Sequence, residues 1–404
     1  MSSTTSASPT FSSDEVKIMD RKAFGTYEQR STVFLSNNDE VYRIPALFYH
    51  PEKKVLLAFA EKRRTSNDAS TEDLVMNTGT LMKEELTHEI SVQWSESRKV
   101  VEKVHLGGRR PMNPCPVYDK TTKTLFLFFI CVEDSASETW QRFWGINKAR
   151  LCYITTRDAG DTWSPVIDLT ENFPQTKKWA TFAVGPGHGL QTESGRLIVP
   201  AYAYVSRFPS CICISCGLAV SRAFCFYSDD RGVTWQLGDL LDDKSVECEM
   251  AEVLDSKGAA YVYCNARNEG GYRVEAVSDN GGEDFITLPS AEQLVETGRG
   301  CQGSVVSFPA QPGSNPEPRW LLYSHPTSQS KRVDLGVYIN KSPPDPNAWS
   351  SPWILNEGPS GYSDQAYIDD GWFACLMERG EVSEIEEIAC KVYSYVQLNK
   401  AIGN

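Results

Sequence analysis

Three observations predict an all-β protein. Short runs rich in aromatic and β-branched residues recur at 55–60, 125–132, 196–205, 223–228, 259–266, 303–308, 319–325, 335–340 and 372–378, separated by Gly, Pro, Asn and Asp clusters. No stretch of ten or more residues carries a sustained helical stripe; only 290–296 hints at one. A turn motif repeats: Thr156-Arg-Asp158-Ala-Gly160-Asp-Thr162-Trp163, then Ser228-Asp-Asp230-Arg-Gly232-Val-Thr234-Trp235, with a degenerate copy at Ser278-Asp-Asn280-Gly-Gly282-Glu-Asp284-Phe285. Each copy follows an apolar run and reads as a hairpin tip. Asp or Asn bonds its own turn backbone, Gly supplies φ > 0, and the aromatic folds back beneath. The copies begin at 156, 228 and 278, and each interval suits about one four-stranded blade of a β-propeller.

The 404 residues suit two or three domains of about 150 residues, or one large repetitive β fold. With 41% apolar and 23% charged residues, the composition excludes wholesale disorder and a collagen-like fibre. Lys and Arg number 40 against 53 Asp and Glu, a net charge of −13. That balance argues against nucleic acid, which needs a basic face. A membrane-surface role stays open, but nonspecific attraction to anionic lipid is not its main anchor.

The longest strongly apolar run, 125–132, is a buried strand in length, whereas a spanning helix needs about 20 residues. The N-terminus, with nine Ser or Thr in its first 13 residues, lacks the basic and apolar regions of a secretory signal. We read 1–31 as a polar tail and 32–398 as a single domain. The twelve cysteines read as reduced thiols on the cytosolic side of a membrane, and the sequon Asn340-Lys341-Ser342 as a chance match.

The three turn copies resemble the Asp boxes of sialidases, and Tyr42-Arg43-Ile44-Pro45 resembles that family's opening arginine motif. The resemblance runs from about 41 to 394 through Met112-Asn-Pro-Cys-Pro, Trp179-Ala-Thr-Phe-Ala-Val-Gly-Pro-Gly-His188, Trp320-Leu-Leu-Tyr-Ser-His-Pro326 and Arg332-Val-Asp-Leu-Gly336. It is strongest toward vertebrate sialidases without a signal peptide, in particular the plasma-membrane ganglioside type. The resemblance implies a six-bladed propeller and an exo-α-sialidase acting on sialylated glycolipids and oligosaccharides, with peripheral membrane association at the plasma membrane or endosomes, or else a cytoplasmic location.

Sialic acid carries a carboxylate on its anomeric carbon, so its site needs a fixed anion clamp, and the guanidinium is a permanently charged rigid fork. Arg43, Arg267 and Arg332 fall on the family's arginine triad. By resemblance Glu378 orients Arg43, and Glu61 is a second support. An attacking carboxylate would be repelled by the substrate's own; sialidases depart from the two-carboxylate arrangement of glycosidases and use a Tyr nucleophile. Gly361-Tyr362-Ser363-Asp364 matches that segment. A phenol of pKa near 10 needs a base to take its proton. Glu247 matches the base, with Glu249 and Glu252 as competitors from spacing alone. By family spacing Asp68 is the acid/base and Arg63 a further ligand contact.

The resemblance also places Met112, Asn113, Tyr202, Tyr204, Glu138 and Gln302 around the ligand, with Glu138 on the glycerol tail. No metal or cofactor is expected, since the five histidines show no paired ligand spacing. Cys211-Ile-Cys213-Ile-Ser-Cys216 lacks a matching second half for a metal site and reads as reduced apolar thiols, or as an acylated loop at a membrane. A non-catalytic sialic-acid-binding propeller, a structural propeller and a transferase are the competing readings. The trio Tyr362, Glu247 and Asp68 favours the hydrolase.

Overall fold

The chain alternates apolar side chains so regularly that its strands are sandwiched on both faces. Within Thr124–Val132 every residue is buried. Leu125, Leu127, Phe129 and Cys131 enter one core, while Phe126, Phe128, Ile130 and Val132 enter the next. This period of two is the pleat itself. Each fully buried Leu or Phe contributes about 1.5–3 kcal/mol, so the apolar layers between sheets hold the molecule together.

The computed structural model describes residues 30–403, apart from 86, 135, 206–218, 256 and 311–317. The described residues form five antiparallel sheets in chain order. Strands Val41–His50, Arg110–Asp119, Leu197–Val205, Cys248–Leu254, Ser304–Pro309 and Trp353–Ile368 contact one another in a closed circuit, the radial arrangement of a propeller. Strand Arg30–Leu35 pairs with Glu387–Ser394 and so joins the start of the domain to its last sheet.

All nine strands expected from composition are found, with ends shifted by one to three residues. The expectation of six separate blades is not met. Four sheets are four- or five-stranded blades, and the fifth has seven strands. The reason is Trp353–Ile368, a 16-residue strand. Its first half pairs with Val333–Asn340 and its second with Trp372–Arg379. The segment 290–296 is a turn rather than a helix. Among the described residues two α-helices arise elsewhere: α1 (Glu138–Trp144) and α2 (Tyr395–Ile402).

The repeated turns have the expected anatomy. Asp158 accepts from the Thr162 N–H at 2.9 Å and its hydroxyl at 2.6 Å, and Asp230 does the same with Thr234 at 2.8 and 2.6 Å. Gly160 and Gly232 sit at φ +84°, and Trp163 and Trp235 are buried. Trp235 meets Phe128 edge-on at 4.8 Å. Nine cysteines are described, all buried and unpaired; 211–216 lies outside the described residues. No described helix is long and apolar enough to cross a membrane.

Candidate active site

The inner strands deliver side chains to one cavity through breaks in their pairing. Register shifts fall between Arg43 and Ala46, between Met112 and Cys115, between Val333 and Leu335, and between Ser360 and Ser363. An extra residue bends a strand and re-aims what it carries. Ile44, Asn113 and Asp334 have φ of 61°, 58° and 57°. For a β-branched residue such as Ile44 that strain is about 1–3 kcal/mol and must be held by its surroundings. Here the Ile44 N–H donates to Glu378 Oε1 at 2.9 Å.

The cavity, about 630 Å³, is lined by Arg43, Arg63, Asp68, Met112, Asn113, Glu138, Tyr202, Tyr204, Glu247, Arg267, Arg332 and Tyr362. At its floor the Tyr362 hydroxyl donates to Glu247 Oε1 at 2.5 Å. Arg267 Nη1 donates to Glu247 Oε2 at 2.7 Å and to the Tyr362 oxygen at 3.0 Å. The Arg43 and Arg332 guanidiniums lie 5.7 and 5.3 Å from the Tyr362 ring centre. Burial pushes the Tyr362 phenol well above its ordinary value, the nearby Glu247 carboxylate adds to this, and Arg267 and Arg332 oppose it. The phenol therefore keeps its proton at neutral pH, with the Glu247 carboxylate placed to accept it.

Two carboxylates behind the wall hold the cations. Glu378 takes Arg43 Nε at 2.6 Å and Nη2 at 3.2 Å, and accepts the Tyr362 N–H at 3.0 Å. Burial alone would raise its pKa, but Arg43 and the two backbone donors outweigh it and hold the carboxyl below its ordinary value. Glu61 binds Arg63 Nε at 2.7 Å and the Asn113 N–H at 2.8 Å. Arg63 Nη1 then reaches Asp68 Oδ1 at 2.8 Å, while Asp68 stays 64% exposed on its short 65–70 loop. Among the described residues Arg332 has no carboxylate within 4 Å and gives Nη2 to the Gly300 carbonyl at 3.0 Å. The cavity thus keeps a cation without its own counter-ion, in a chain of net charge −13.

One expected contact is corrected. Gln302 does not reach the cavity: its amide is buried, donating to Glu249 at 3.0 Å and the Ser363 carbonyl at 2.9 Å, and accepting the Ser363 N–H at 3.1 Å. It braces the backbone beside Tyr362. The competitors for the base separate equally clearly. Glu249 is fully buried and accepts from Val305 N–H at 3.0 Å, and Glu252 accepts from Glu193 N–H at 2.8 Å, so neither touches Tyr362. His188, Glu249 and Asp364 bring ligand-type atoms within 4.8 Å of one another. Those atoms are engaged inside the protein: His188 Nδ1 meets Asp364 Oδ1 at 2.6 Å, and Asp364 Oδ2 accepts the Leu47 N–H at 2.6 Å.

Sequence reasoning missed several residues here. Arg110 lines the cavity and gives its guanidinium to the carbonyls of Glu133, Asp134 and Ala136 at 2.9, 3.0 and 2.5 Å, fixing the approach to α1. Glu138 sits in the first turn of α1. Its carboxylate takes Arg142 at 3.3 Å and the Tyr202 hydroxyl at 3.3 Å, and Arg142 stacks 4.1 Å over Tyr204. Desolvation in the recess raises the Glu138 carboxyl, with Arg142 opposing. Glu296 is a third hidden brace. It accepts Arg273 Nη1 at 2.6 Å and the N–H groups of Asn268, Thr297 and Cys301, and so fixes the 296–302 loop whose carbonyls receive Arg267 and Arg332. A signal for α1 was present in Ser137 and Gly145; none marked Glu296.

A propeller with a Tyr–Glu pair and an arginine clamp in one cavity defines a sialidase-type glycosidase, and the comparisons agree. Residues 43–375 match the BNR repeat-like domain family. The chain is 44% identical to Sialidase-3 of Mus musculus, covering 91% of this chain and 95% of that protein. It is 45% identical to Sialidase-2 of Cricetulus griseus, covering 88% and 93%. Among solved structures, the Hadza microbial sialidase Hz136 superposes with a TM-score of 0.71 at 20% identity, covering 91% of this chain and 69% of that one. The chain belongs to the sialidase family, and it is a glycoside hydrolase, an exo-sialidase.

Proposed function

We propose that this exo-sialidase hydrolyses terminal α-linked sialic acid with retention of configuration, using Tyr362 as nucleophile, Glu247 as its base and Asp68 as acid/base. The reading is carried by the 2.5 Å contact between Tyr362 and Glu247. Arg43, Arg267 and Arg332 hold the substrate carboxylate, and Arg332 brings a charge with no carboxylate beside it among the described residues. Tyr362 attacks the anomeric carbon as its proton moves to Glu247. The bond to the glycosidic oxygen breaks, and Asp68 protonates that oxygen. Water then attacks the same carbon, giving a proton to Asp68, while the bond to Tyr362 breaks and Glu247 returns the phenolic proton. Arg63 positions Asp68, Met112 and Asn113 cover the N-acetyl group, and Glu138, Tyr202 and Tyr204 face the glycerol tail. Glu61 and Glu378 are supports. No step requires a metal.

Gangliosides are the preferred substrates in this reading, and the protein works at a membrane surface. Residues 32–398 act as one catalytic domain. The seven-stranded sheet supplies two blades to a ring of six, which is supported by the apolar cluster that strands of both halves share, with Val306 and Leu322 from one and Phe373, Met377 and Tyr393 from the other.

The test is release of free sialic acid from a ganglioside and from sialyl-lactose. Both are cleaved, the ganglioside with the higher kcat/KM. Binding without turnover identifies a lectin-like propeller.

A further inference from the structure

We infer that the outward face of α1 is a bilayer-insertion surface that sets the cavity against a phospholipid membrane. This extends the reading of that cavity as the sialic-acid site. Six of the seven residues of the helix divide between two faces. Glu138, Gln141 and Arg142 line the cavity. Trp140, Phe143 and Trp144 repeat the same i, i+3, i+4 spacing on another face and are 36%, 66% and 48% exposed, followed by Ile146 at 47%. Phe143 and Trp144 pack edge to face at 5.1 Å. Contiguous exposed aromatics mark an interaction site, and Trp and Phe on a short amphipathic helix favour the boundary between headgroups and acyl chains.

The helix is firmly mounted. Ser137 caps its start, Gly145 ends it in the left-handed region, and Arg110 grips the approach. Asn147 Nδ2 ties the following turn to the Thr176 carbonyl at 3.1 Å.

Other occupants fit less well. A stacking platform for further sugars would line the cavity, and none of the four apolar side chains does. A stable pairing with a second copy buries at least about 1,200 Å², more than one face of a seven-residue helix offers. Charge is a minor term. Lys148, Arg150 and Lys177 lie beside Ile146, but each is paired, with Glu133 at 2.8 Å, Asp168 at 2.7 Å and Glu171 at 2.8 Å. The surface therefore suits neutral lipid, and insertion of α1 brings the cavity rim to headgroup level, where a membrane-borne sialoside stands.

The experiment compares wild type with the double variant Phe143→Ser, Trp144→Ser. It measures co-sedimentation with phosphatidylcholine vesicles, with and without phosphatidylserine, and turnover of sialyl-lactose and of ganglioside in those vesicles. Wild type binds neutral vesicles. The double variant loses at least about tenfold in vesicle binding, equivalent to about 1.4 kcal/mol, and a similar factor in vesicle-borne turnover, while sialyl-lactose kcat/KM is unchanged. Phe143→Trp retains vesicle binding. Equal vesicle binding by variant and wild type overturns the inference, as does a wild type that ignores neutral vesicles. A parallel loss on sialyl-lactose assigns the face to glycan, and a dimer that the variant dissolves assigns it to self-association; either outcome overturns it too. Failure of wild type on sialyl-lactose would instead remove the sialidase reading, and the vesicle arm would still report on α1.

Discussion

Tyr362→Phe is expected to lower kcat by at least about 10³-fold, as loss of a hydrolase nucleophile does, with little change in binding of a sialic-acid ligand. The variant removes one oxygen. Arg267 keeps Glu247 at 2.7 Å, and the ring still faces Arg43 and Arg332, so the clamp stays assembled and the chemistry is lost. Initial rates on sialyl-lactose, with equilibrium binding of the released sugar, separate the two quantities. Turnover retained within about tenfold would place the nucleophile elsewhere.

Glu378→Gln is expected to destabilise the fold by about 3 kcal/mol, the lower end for breaking a buried pair, because Arg43 borders the cavity where water can reach it. The loss is also local. Glu378 holds Arg43, the strained Ile44 and the Tyr362 backbone together, so KM rises as well. The pH dependence has a definite sign. A carboxyl depressed in the folded state contributes fully above its unfolded pKa, near 4.3, and loses that contribution as pH falls through the folded value. The gap in Tm between wild type and variant is therefore largest near neutrality and narrows below about pH 4. Thermal unfolding across that range checks it, and a gap that widens on acidification contradicts the role given to Glu378.

Much of this architecture was legible because period-two apolar runs and turn chemistry are local signals. Asp158 and Asp230 announce their hairpins several residues ahead, and the run 125–132 is apolar on both faces because both are buried. Grouping of strands into sheets was not legible. The continuity of Trp353–Ile368 depends on which neighbours pair with each half, and local patterns do not reveal pairing partners. Helix α1 was hidden by length: seven residues are too few for a periodic stripe, although its Ser and Gly caps were visible.

The cavity residues were legible through family motifs, and the brace residues were not. Glu247 stands out from Glu249 and Glu252 once the strand turns it toward Tyr362. Gln302 ends the 296–302 loop, yet its amide is buried against Glu249. Glu296 and Arg273 meet 23 positions apart without any motif. Long-range buried pairs of this kind are invisible to spacing arguments.

The most direct measurement of the central claim is proton NMR of the first sialic acid released from an α-sialoside. Attack by Tyr362 followed by water inverts the anomeric carbon twice. The α-anomer must therefore appear first and convert to the β-anomer only by later mutarotation. Initial appearance of the β-anomer would mean a single displacement by water, and would contradict Tyr362 as nucleophile.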